Sequence, residues 1–570
     1  MAPAMAPQAF LLPGARGSLC ALYYAPQPGL ASRGDLLVVP PFAEEMNRCR
    51  TMVAMQARAL SALGFGTLVL DPYGTGESEG EFAEATWAGW RDDLVLGIDW
   101  LDRHGQGCRG LWGLRLGAAM AVQLARQRPA IERLLLWQPV FNGKSFYTQF
   151  LRIRIAAEMN LPDRVKSTGE LRAWSARGDV IEVSGYEIGP AMAAELDAVD
   201  LDHEAMVRVG GIDWLEVSTE AAPALLPASV KCIETLQAAG ARVSDEAVNG
   251  PLFWHVHERE LAPALIETTT RRLVAWEAWS GVRSRVGPSA VIDATASSTG
   301  QPITFECGEQ RLSGFVHRGS ASATRGVVIV VAGGPQYRAG AHRQFVQLAR
   351  KLAGQGWPTL RFDLRGMGDS TGSYVGFEHS ETDIRAAIDA LQVQQPQLKQ
   401  MVLIGECESA SGILFYAWRD DRVQGAVLVN PWVRTDEGRA QVIVKDYYLD
   451  RLRQPEFWSK LRQGRFDVLA SLKSLVRVGR DYLRGRLLFA RSRADAGEGD
   501  IAALPLPQRT AAGLGRFRGQ ALLLMSGHDY IAREFEEVTS ASRAWDGLLD
   551  RPNVQRVDIE GADHTFSRRV

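Results

Sequence analysis

The residues around Cys407 have the pattern of a nucleophile elbow. Apolar residues 402–404 end at Gly405, and the chain continues through Cys407 and Ser409 into small and apolar residues typical of a helix. In the common motif G-x-S-x-G, small residues permit a strained strand-to-helix turn that exposes the nucleophile, and the next backbone N–H points at the developing oxyanion. Cys407 occupies the serine position. The pattern therefore predicts that Cys407 is a nucleophile, with a buried structural thiol as the alternative.

A candidate acid and a candidate base follow the elbow. The apolar run 521–525 leads to Asp529, and His564 follows Gly561 near the end of the sequence. The chain order nucleophile, acid, histidine is one known arrangement of a catalytic triad. We predict that His564 accepts the thiol proton and that Asp529 orients the imidazole, with Glu408 as the alternative acid.

The neighbours of the thiol and the oxyanion hole can be anticipated too. Glu406 and Glu408 raise the pKa of the thiol if their side chains face it. An oxyanion hole needs two backbone donors, and we predict the N–H of Glu408 as the first. The second is expected from residues 333–336, and because Pro335 has no N–H, either Gly334 or Gln336 must supply it. The sequence leaves that choice open.

The chain repeats itself at long period, which places the elbow within a larger unit. Asp71 in DPYGTGESEG recurs as Asp363 in DLRGMGDSTG, an offset of 363 − 71 = 292 residues. The same offset relates Arg115 to Cys407 and Pro139 to Pro431. A period this long indicates duplicated domains rather than a solenoid, whose units have roughly 20–50 residues.

Short apolar runs alternate with helical patterns in both halves, which predicts parallel sheets covered by helices. Predicted strands are residues 36–39, 66–70, 110–113, 134–137, 326–331, 359–363, 401–405 and 425–429, and predicted helices are 52–63 and 343–353. Segments after the fourth strand, 142–210 and 434–516, are predicted to form helical caps. We expect an α/β fold with domains at residues 1–285 and 302–570, joined by a linker at 286–301.

The first half is predicted to be catalytically degenerate. Arg115 stands where the second half has Cys407, and a guanidinium that stays protonated is no nucleophile. Glu220 is the candidate for the position that the acid Asp529 has in the second half. His255 and His257 lie near the position of the base but do not align with His564. Arg115 is expected to form a structural ion pair with Glu45 or Glu220, and anion binding is the alternative.

Composition narrows the class of protein. With 570 residues, the chain is long enough for two domains, and 64 basic against 66 acidic residues argue against a nucleic-acid partner. No apolar run approaches the roughly 20 residues of a membrane helix, and the first residues lack a signal-peptide pattern, so we expect a cytoplasmic protein without a transmembrane segment. The six cysteines are dispersed without C-x-x-C pairs, which predicts neither a disulfide framework nor a metal site. No cofactor is expected.

The motifs together resemble the α/β-hydrolase superfamily in both halves, and each half resembles a narrower family. The first half is similar to the exosortase A system-associated hydrolase type 2, in LVVPPFAEEMN at 37–47, LWGLRLG at 111–117 and WQPVFNGK at 137–144. The second half is similar to type 1, in GGPQYR at 333–338, HRQF at 342–345, RFDLRGMGDS at 361–370, NPWVRT at 430–435 and ADHTFSRR at 562–569. The resemblance implies a fusion of two proteins that are usually separate. It also implies a genomic setting beside the genes of exopolysaccharide biosynthesis.

Three functions are compatible with the sequence. The first is an acyl-enzyme hydrolase of an ester, thioester or lactone, acting on a small-molecule or glycan acyl substrate. The second is acyl transfer, since similar Cys-His-Asp sites occur in polyhydroxyalkanoate synthases, bile-acid acyltransferases and dienelactone hydrolases. The third is a non-enzymatic binding or scaffold protein. Arg115 at the nucleophile position supports this function for the first half only. The two domains are expected to pack on each other.

Overall fold

The computed structural model describes residues 7–159, 164–256, 258–276, 300–334, 337–433 and 501–567. The predicted linker up to residue 299, the predicted second cap up to residue 500, Gln336 and His257 lie outside these residues. The described residues group into two compact units. The first comprises residues up to 376 and 385–398, and the second comprises 377–384 and 399–566.

A mostly parallel sheet forms the centre of the N-terminal half, within the first unit. The strands are β1 (Gln8–Pro13), β2 (Ser18–Tyr24), β3 (Asp35–Val39), β4 (Gly66–Leu70), β5 (Cys108–Leu114), β6 (Arg133–Trp137), β7 (Ile181–Val183), β8 (Tyr186–Ile188), β9 (Gly211–Ser218) and β10 (Val243–Asn249). The sheet order is β1-β2-β4-β3-β5-β6-β9-β10, and β7 and β8 form a separate hairpin. Among the described strands of this eight-stranded sheet, β1–β2 and β2–β4 pair in antiparallel fashion and the other pairs are parallel.

The central strands are apolar on both faces because both faces are covered. In β3, Leu37 and Val39 join one buried cluster, whereas Leu36 and Val38 join another. Side chains alternate between the faces of a strand, so near-continuous apolar sequence is expected of a parallel sheet between two helix layers. This burial fixes the strand register, and with it the positions of the loops at the strand ends.

In the part of this half that the structure describes, nine α-helices surround or extend the sheet. They are α1 (Glu44–Ser61), α2 (Trp87–His104), α3 (Gly117–Gln127), α4 (Gly143–Ala157), α5 (Thr168–Ala176), α6 (Pro190–Asp197), α7 (His203–Arg208), α8 (Pro227–Ala238) and α9 (Pro263–Val274). The segment between β6 and β9 contains α4 to α7 and the hairpin, so the predicted helical insertion is present; its role as a cap stays a prediction. Helix α1 begins before the predicted residue 52, because its first two turns are mostly polar and contain only Met46 and Cys49 as apolar residues.

The first unit also contains the start of the second repeat. Its elements are β11 (Gln301–Cys307), β12 (Gln310–His317), β13 (Arg325–Val331), α10 (Gln344–Gly354) and β14 (Thr359–Asp363), with the strands in the order β11-β12-β14-β13. Helix α11 (Glu381–Gln394) follows. The β13–β14 pair is parallel, whereas β12 pairs with its two neighbours in antiparallel fashion, as β2 does in the first half.

The second unit carries the elbow. Four parallel strands, β15 (Gln400–Glu406), β16 (Val423–Val429), β17 (Gln520–Ser526) and β18 (Val554–Ile559), lie in chain order. Helices α12 (Glu408–Tyr416), α13 (Leu506–Arg516) and α14 (Tyr530–Ala541) accompany them. All the predicted strands are present, so the α/β fold class with mostly parallel sheets and flanking helices is confirmed.

Two equivalent turns in the first unit carry the strongest sequence repeat. In each, a carboxylate accepts from a backbone N–H six residues on: Glu77 donates to Asp71 and Asp369 donates to Asp363, both at 3.0 Å. Ser370 Oγ closes the second turn by donating to the Asp363 carbonyl at 2.7 Å. These bonds agree with a structural turn rather than a phosphate-binding loop.

The carboxylates of these turns belong to a buried charge network in the first unit. Arg338 contacts Glu77 at 2.9 Å, Asp363 at 2.6 Å and Asp369 at 2.8 Å. Arg361 also binds Glu77, at 2.6 Å. Two further ion pairs join Arg50 to Asp71 and to Asp369, both at 2.8 Å, and no side chain in the network is more than 3% exposed. The network thus joins residues from both repeats.

Among the helices of the described residues, none has the length and apolar character needed to cross a membrane.

Candidate active site

Cys407 lies at a sharp turn between β15 and α12. Its backbone φ is +58°, a conformation that is uncommon for a residue with a side chain and typical of strained functional turns. The Cys407 N–H donates to the Val429 carbonyl at 2.8 Å, and its carbonyl accepts from Ala410 and Trp432, both at 3.2 Å. These bonds to the end of β16 and to the start of α12 hold the turn in place.

Each of the two small residues of the elbow is required by a different contact. A Cβ at Gly405 would lie 2.7 Å from Ile413 Cδ1 and 2.8 Å from Ser409 Oγ, so only glycine fits there. Ser409 replaces the last glycine of the common motif, and its hydroxyl accepts from the Glu406 N–H at 2.9 Å and donates to the Glu406 carbonyl at 2.8 Å. The serine thereby bridges both sides of the turn.

The structure brings the three predicted triad residues together within the second unit. Asp529 caps α14 by accepting from the Ile531 N–H at 3.1 Å, and its other oxygen lies 2.7 Å from His564 Nδ1. This contact leaves Nε2 of the ring for the thiol, and the side chains of His564 and Cys407 each shift the pKa of the other. The arrangement is the one in which a carboxylate orients an imidazole that exchanges a proton with a nucleophile.

Electrostatics at the site favour a protonated resting pair. Burial is the main cause that raises the pKa of the Cys407 thiol; His564 lowers it, and Glu408 and Glu406 raise it further. Burial lowers the pKa of His564, but hydrogen bonds to Asp529 and Cys407 outweigh burial and raise that pKa to about 11. Both groups therefore hold their protons more tightly than usual, and the pair must lose one proton before attack.

Of the three residues predicted to donate to the oxyanion, the structure describes Glu408 and Gly334. Glu408 is the first residue of α12, where backbone N–H groups have no acceptor within the helix. Gly334 lies in the first unit, in a turn with φ of +58°. Gln336 is outside the described residues, so the identity of the second donor stays a prediction.

The first half has an elbow with the same backbone geometry. Arg115 has a φ of +53°. Its N–H donates to the Trp137 carbonyl at 2.9 Å, and its carbonyl accepts from Ala118 at 3.1 Å and from Val140 at 3.0 Å. All three partners lie 292 residues before those of Cys407. The backbone of the turn is therefore duplicated, although the side chain that it presents is different.

Arg115 forms an ion pair with Glu45, one of the two partners that the sequence suggested. Arg115 Nη2 and Nε lie 3.1 and 3.2 Å from the same oxygen of Glu45, and the guanidinium stands 5.1 Å from the centre of the Trp254 ring. Burial raises the pKa of Glu45, and Arg115 opposes that rise. The elbow side chain is thus held by charge and by an aromatic face.

The other predicted residues of the degenerate site do not join this pair. Glu220 is exposed, and its N–H donates to Ser218 Oγ at 3.2 Å. Burial, together with Arg115 and Arg48, lowers the pKa of His255 to about 4. His255 is therefore neutral near pH 7 and lies beside cations, the opposite of the setting of His564.

We expect Arg115→Met to lower the free energy of unfolding by about 1–3 kcal/mol, because it leaves the Glu45 carboxylate buried without its cation. Urea denaturation measures the loss, and the double variant Arg115→Met/Glu45→Gln should recover part of it. Labelling of Cys407 should be unaffected. Unchanged stability, combined with weaker binding of a carboxylate ligand, would assign Arg115 to anion binding instead.

One residue at the site was not assigned a role from the sequence. Asn430 follows β16 directly, is fully buried and has a φ of +44°. Its side chain hydrogen-bonds to Ser526 and to the His564 carbonyl. The Asn-Pro pair after an apolar run signals only a turn, because its partners lie 96 and 134 residues away.

Within the described residues, no group of three or more His, Cys, Asp or Glu side chains is arranged to hold a metal ion.

Comparisons with known proteins agree with the hydrolase prediction. Residues 322–462 match the family model described as serine aminopeptidase, S33, within the Hydrolase_4 group. This match covers only part of the second half and agrees with the prediction of an α/β-hydrolase-type enzyme. The finer resemblance to exosortase-associated hydrolases stays a prediction, and a comparison with curated protein sequences finds no match.

Solved structures similar to this chain include three hydrolases. An esterase from Pyrococcus furiosus is 17% identical, with a TM-score of 0.31, covering 47% of this chain and 84% of that one. Est1E from Butyrivibrio proteoclasticus with bound ferulic acid is 16% identical, with a TM-score of 0.34, covering 47% and 96%. An alpha-beta serine hydrolase homologue from Coxiella burnetii is 15% identical, with a TM-score of 0.30, covering 47% and 97%.

Proposed function

We propose that the protein is an acyl-enzyme hydrolase of esters, thioesters or lactones, in which Cys407 is the nucleophile, His564 the acid–base and Asp529 the orienting carboxylate. The observation that carries this proposal is the 2.7 Å contact of Asp529 with His564 Nδ1, beside a cysteine held at a strained elbow. A merely structural thiol would not need the oriented imidazole. The positive φ is shared with Arg115 in the first half, so the imidazole is the feature that distinguishes the second elbow.

The proposed reaction has two halves. The Cys407 sulfur attacks the acyl carbon as His564 takes the thiol proton, and the carbon–leaving-group bond breaks as His564 returns that proton to the departing alcohol or thiol. Water then attacks the thioester with His564 as base, and the acid product leaves as Cys407 regains its proton. Asp529 keeps Nδ1 protonated and the ring oriented throughout.

We place the Glu408 N–H in the oxyanion hole, with Gly334 or Gln336 as the second donor. Helix N-terminal N–H groups suit a developing negative charge because they are fixed before the reaction begins. The carboxylate of Glu408 repels the negative charge that develops on the oxyanion. The backbone N–H of Glu408 must therefore donate directly to the oxyanion.

A cysteine nucleophile also favours acyl transfer as the second candidate function. A thioester passes its acyl group readily to an alcohol or amine, so a bound acceptor that excludes water would turn the hydrolase into an acyltransferase. The resemblance to exosortase-associated hydrolases suggests a glycan acceptor or substrate in exopolysaccharide metabolism. Both functions use the same first half-reaction.

Product analysis separates the candidates. The full-length protein is incubated with an acyl thioester of N-acetylcysteamine, with and without glycerol or a hexose as acceptor, and free acid and acylated acceptor are measured. Hydrolysis predicts free acid in both reactions. Transfer predicts acylated acceptor at the expense of acid, and a binding or scaffold protein predicts neither product above the level of Cys407→Ala.

The pH dependence of kcat/KM should report the loss of the extra proton from the Cys407–His564 pair. Because the pKa of His564 is raised, the pair keeps its extra proton at neutral pH, and kcat/KM should rise with pH through an apparent pKa above the ordinary histidine value of about 6.5. Asp529→Asn removes the contact that raises the pKa of His564. We expect this variant to move the rising limb to lower pH and to reduce the plateau by about 10²–10⁴-fold.

Two results would contradict this prediction. If Asp529→Asn left both the limb and the plateau unchanged, another carboxylate would orient the ring, and Glu408→Gln would then be expected to cause the loss. A wild-type limb at or below the ordinary histidine pKa would argue against a tightly held proton.

We propose further that the first half, residues 1–285, is a pseudoenzyme domain that packs on the catalytic half, residues 302–570. The ion pairs of Glu77 with Arg338 and Arg361 support this packing, and the arginine at the first elbow supports the loss of chemistry. The proposed location is the cytoplasm.

A further inference from the structure

Asn430 connects the strand that leads to Asp529 with the backbone of His564. Asn430 Oδ1 accepts from the Ser526 N–H at 2.9 Å, and Nδ2 donates to Ser526 Oγ at 2.9 Å and to the His564 carbonyl at 3.3 Å. The Asn430 N–H donates to the Leu524 carbonyl at 3.0 Å. One buried amide thus touches both segments that carry the acid and the base.

These two segments leave regular structure before they reach the site. Ser526 is the last residue of β17, and Asp529 follows three residues later. His564 lies beyond the end of β18 at Ile559. A catalytic contact between side chains on two such loops holds its geometry only if the loops themselves are cross-linked.

We propose that Asn430 is a positioning residue that sets the geometry between Asp529 and His564, and through it the alignment of the imidazole with Cys407. This inference rests on the proposed function, because it assigns Asn430 to the same triad. The Asn430 side chain hydrogen-bonds to both segments, and asparagine tolerates its positive φ better than most residues.

The equivalent residue of the first half provides a comparison. Gln138 lies 292 residues earlier, has the same φ of +44° and donates its N–H to the Leu215 carbonyl at 2.8 Å. Its side-chain oxygen accepts from the Val217 N–H in β9 at 2.8 Å. Both repeats therefore use a side-chain amide to hold the neighbouring strand. The Asn430 amide makes an additional bond to the histidine segment in the half that has the triad.

The test compares Asn430→Gly with Gln138→Gly in the full-length protein. Glycine keeps the positive φ at low cost, so each variant removes an amide without forcing the turn. We expect Asn430→Gly to lower kcat by about 10–100-fold with a smaller change in KM, since a displacement of about 1 Å at a catalytic group has an effect of this size. Gln138→Gly should leave kcat unchanged.

A second readout reports on the imidazole directly. Cys407 is alkylated with iodoacetamide across a range of pH, and the rate follows the thiolate fraction. Because His564 lowers the pKa of the thiol, a misplaced imidazole should move the alkylation profile of Asn430→Gly to higher pH. Asn430→Ala, which removes the amide without adding a charge, should show the same shift and keeps the test valid if the glycine variant is unfolded.

The outcomes distinguish this inference from the proposed function. Wild-type kcat and alkylation profile in the Asn430 variants, with Cys407→Ala inactive, would overturn the positioning role alone. Equal losses of kcat in Asn430→Gly and Gln138→Gly would also overturn it, since the effect would then be a general loss of strand-end packing. Full turnover in Cys407→Ala would instead contradict the proposed function.

Discussion

Cys407→Ala should reduce acyl turnover by at least about 10⁴-fold and leave the protein folded. Loss of the nucleophile removes the covalent route, and in triads of this kind only the oxyanion hole and substrate binding then contribute to rate. The side chain is small and only partly buried, so its truncation should change the free energy of unfolding little. Initial rates with an activated ester and circular dichroism measure the two effects.

Cys407→Ser is the matched variant for this prediction. A hydroxyl depends more strongly on its base than a thiol does, so we expect Cys407→Ser to retain little activity in a site arranged for sulfur. Cys232→Ala, at a partly exposed cysteine in the first half, should behave as wild type. Appreciable turnover in Cys407→Ala would point to direct attack by activated water.

Arg338→Met should destabilise the first unit by about 3–5 kcal/mol. It removes a cation shared by three buried carboxylates. Glu77 keeps Arg361, and Asp369 keeps Arg50. Asp363 loses its Arg338 partner, and a buried charge left without its partner is strongly unfavourable. Urea denaturation, followed by tryptophan fluorescence, measures the loss. Arg208→Met should change stability by no more than about 0.5 kcal/mol, because Arg208 and its partner Glu204 are both exposed.

The same network predicts how stability responds to acid. Burial raises the pKa of Glu77, but Arg361 and Arg338 outweigh burial and lower that pKa to about 2. Asp369 follows the same pattern with Arg50 and Arg338, and its pKa is also about 2. The contribution of Glu77 and Asp369 to the free energy of unfolding is present above the unfolded carboxylate pKa of about 4 and is lost as pH falls towards 2.

A loss of stability below about 1 kcal/mol in Arg338→Met would contradict a structural role for the network.

Local patterns in the sequence predicted the central fold well. Strands such as β4 and β14 were bounded correctly because an apolar run buried on both faces is visible without any partner. The antiparallel hairpins β1–β2 and β11–β12 were missed. All but the last residue of β11 are partly buried or exposed, and a strand with so little buried apolar sequence resembles a loop until its partner is known.

At the site, only residue type and chain order carried a prediction. They predicted Cys407, Asp529 and His564, and the structure has the Asp529 carboxylate 2.7 Å from His564 Nδ1. The catalytic roles of the three residues stay a prediction. Neither Asn430 nor the Arg338 network could be anticipated. Their partners are close in space but far along the chain, and a buried arginine or asparagine has no periodic signal of its own.

Mass spectrometry of the acylated protein tests the central claim most directly. The full-length protein is mixed with p-nitrophenyl acetate at a pH above neutral, quenched in acid during the first turnover and digested. We predict a single acetyl group on the peptide containing Cys407, formed at the rate of the nitrophenol burst and absent from Cys407→Ala. A nitrophenol burst with the acetyl group on another residue, or turnover with no acylated Cys407 at any quench time, would contradict the thiol nucleophile.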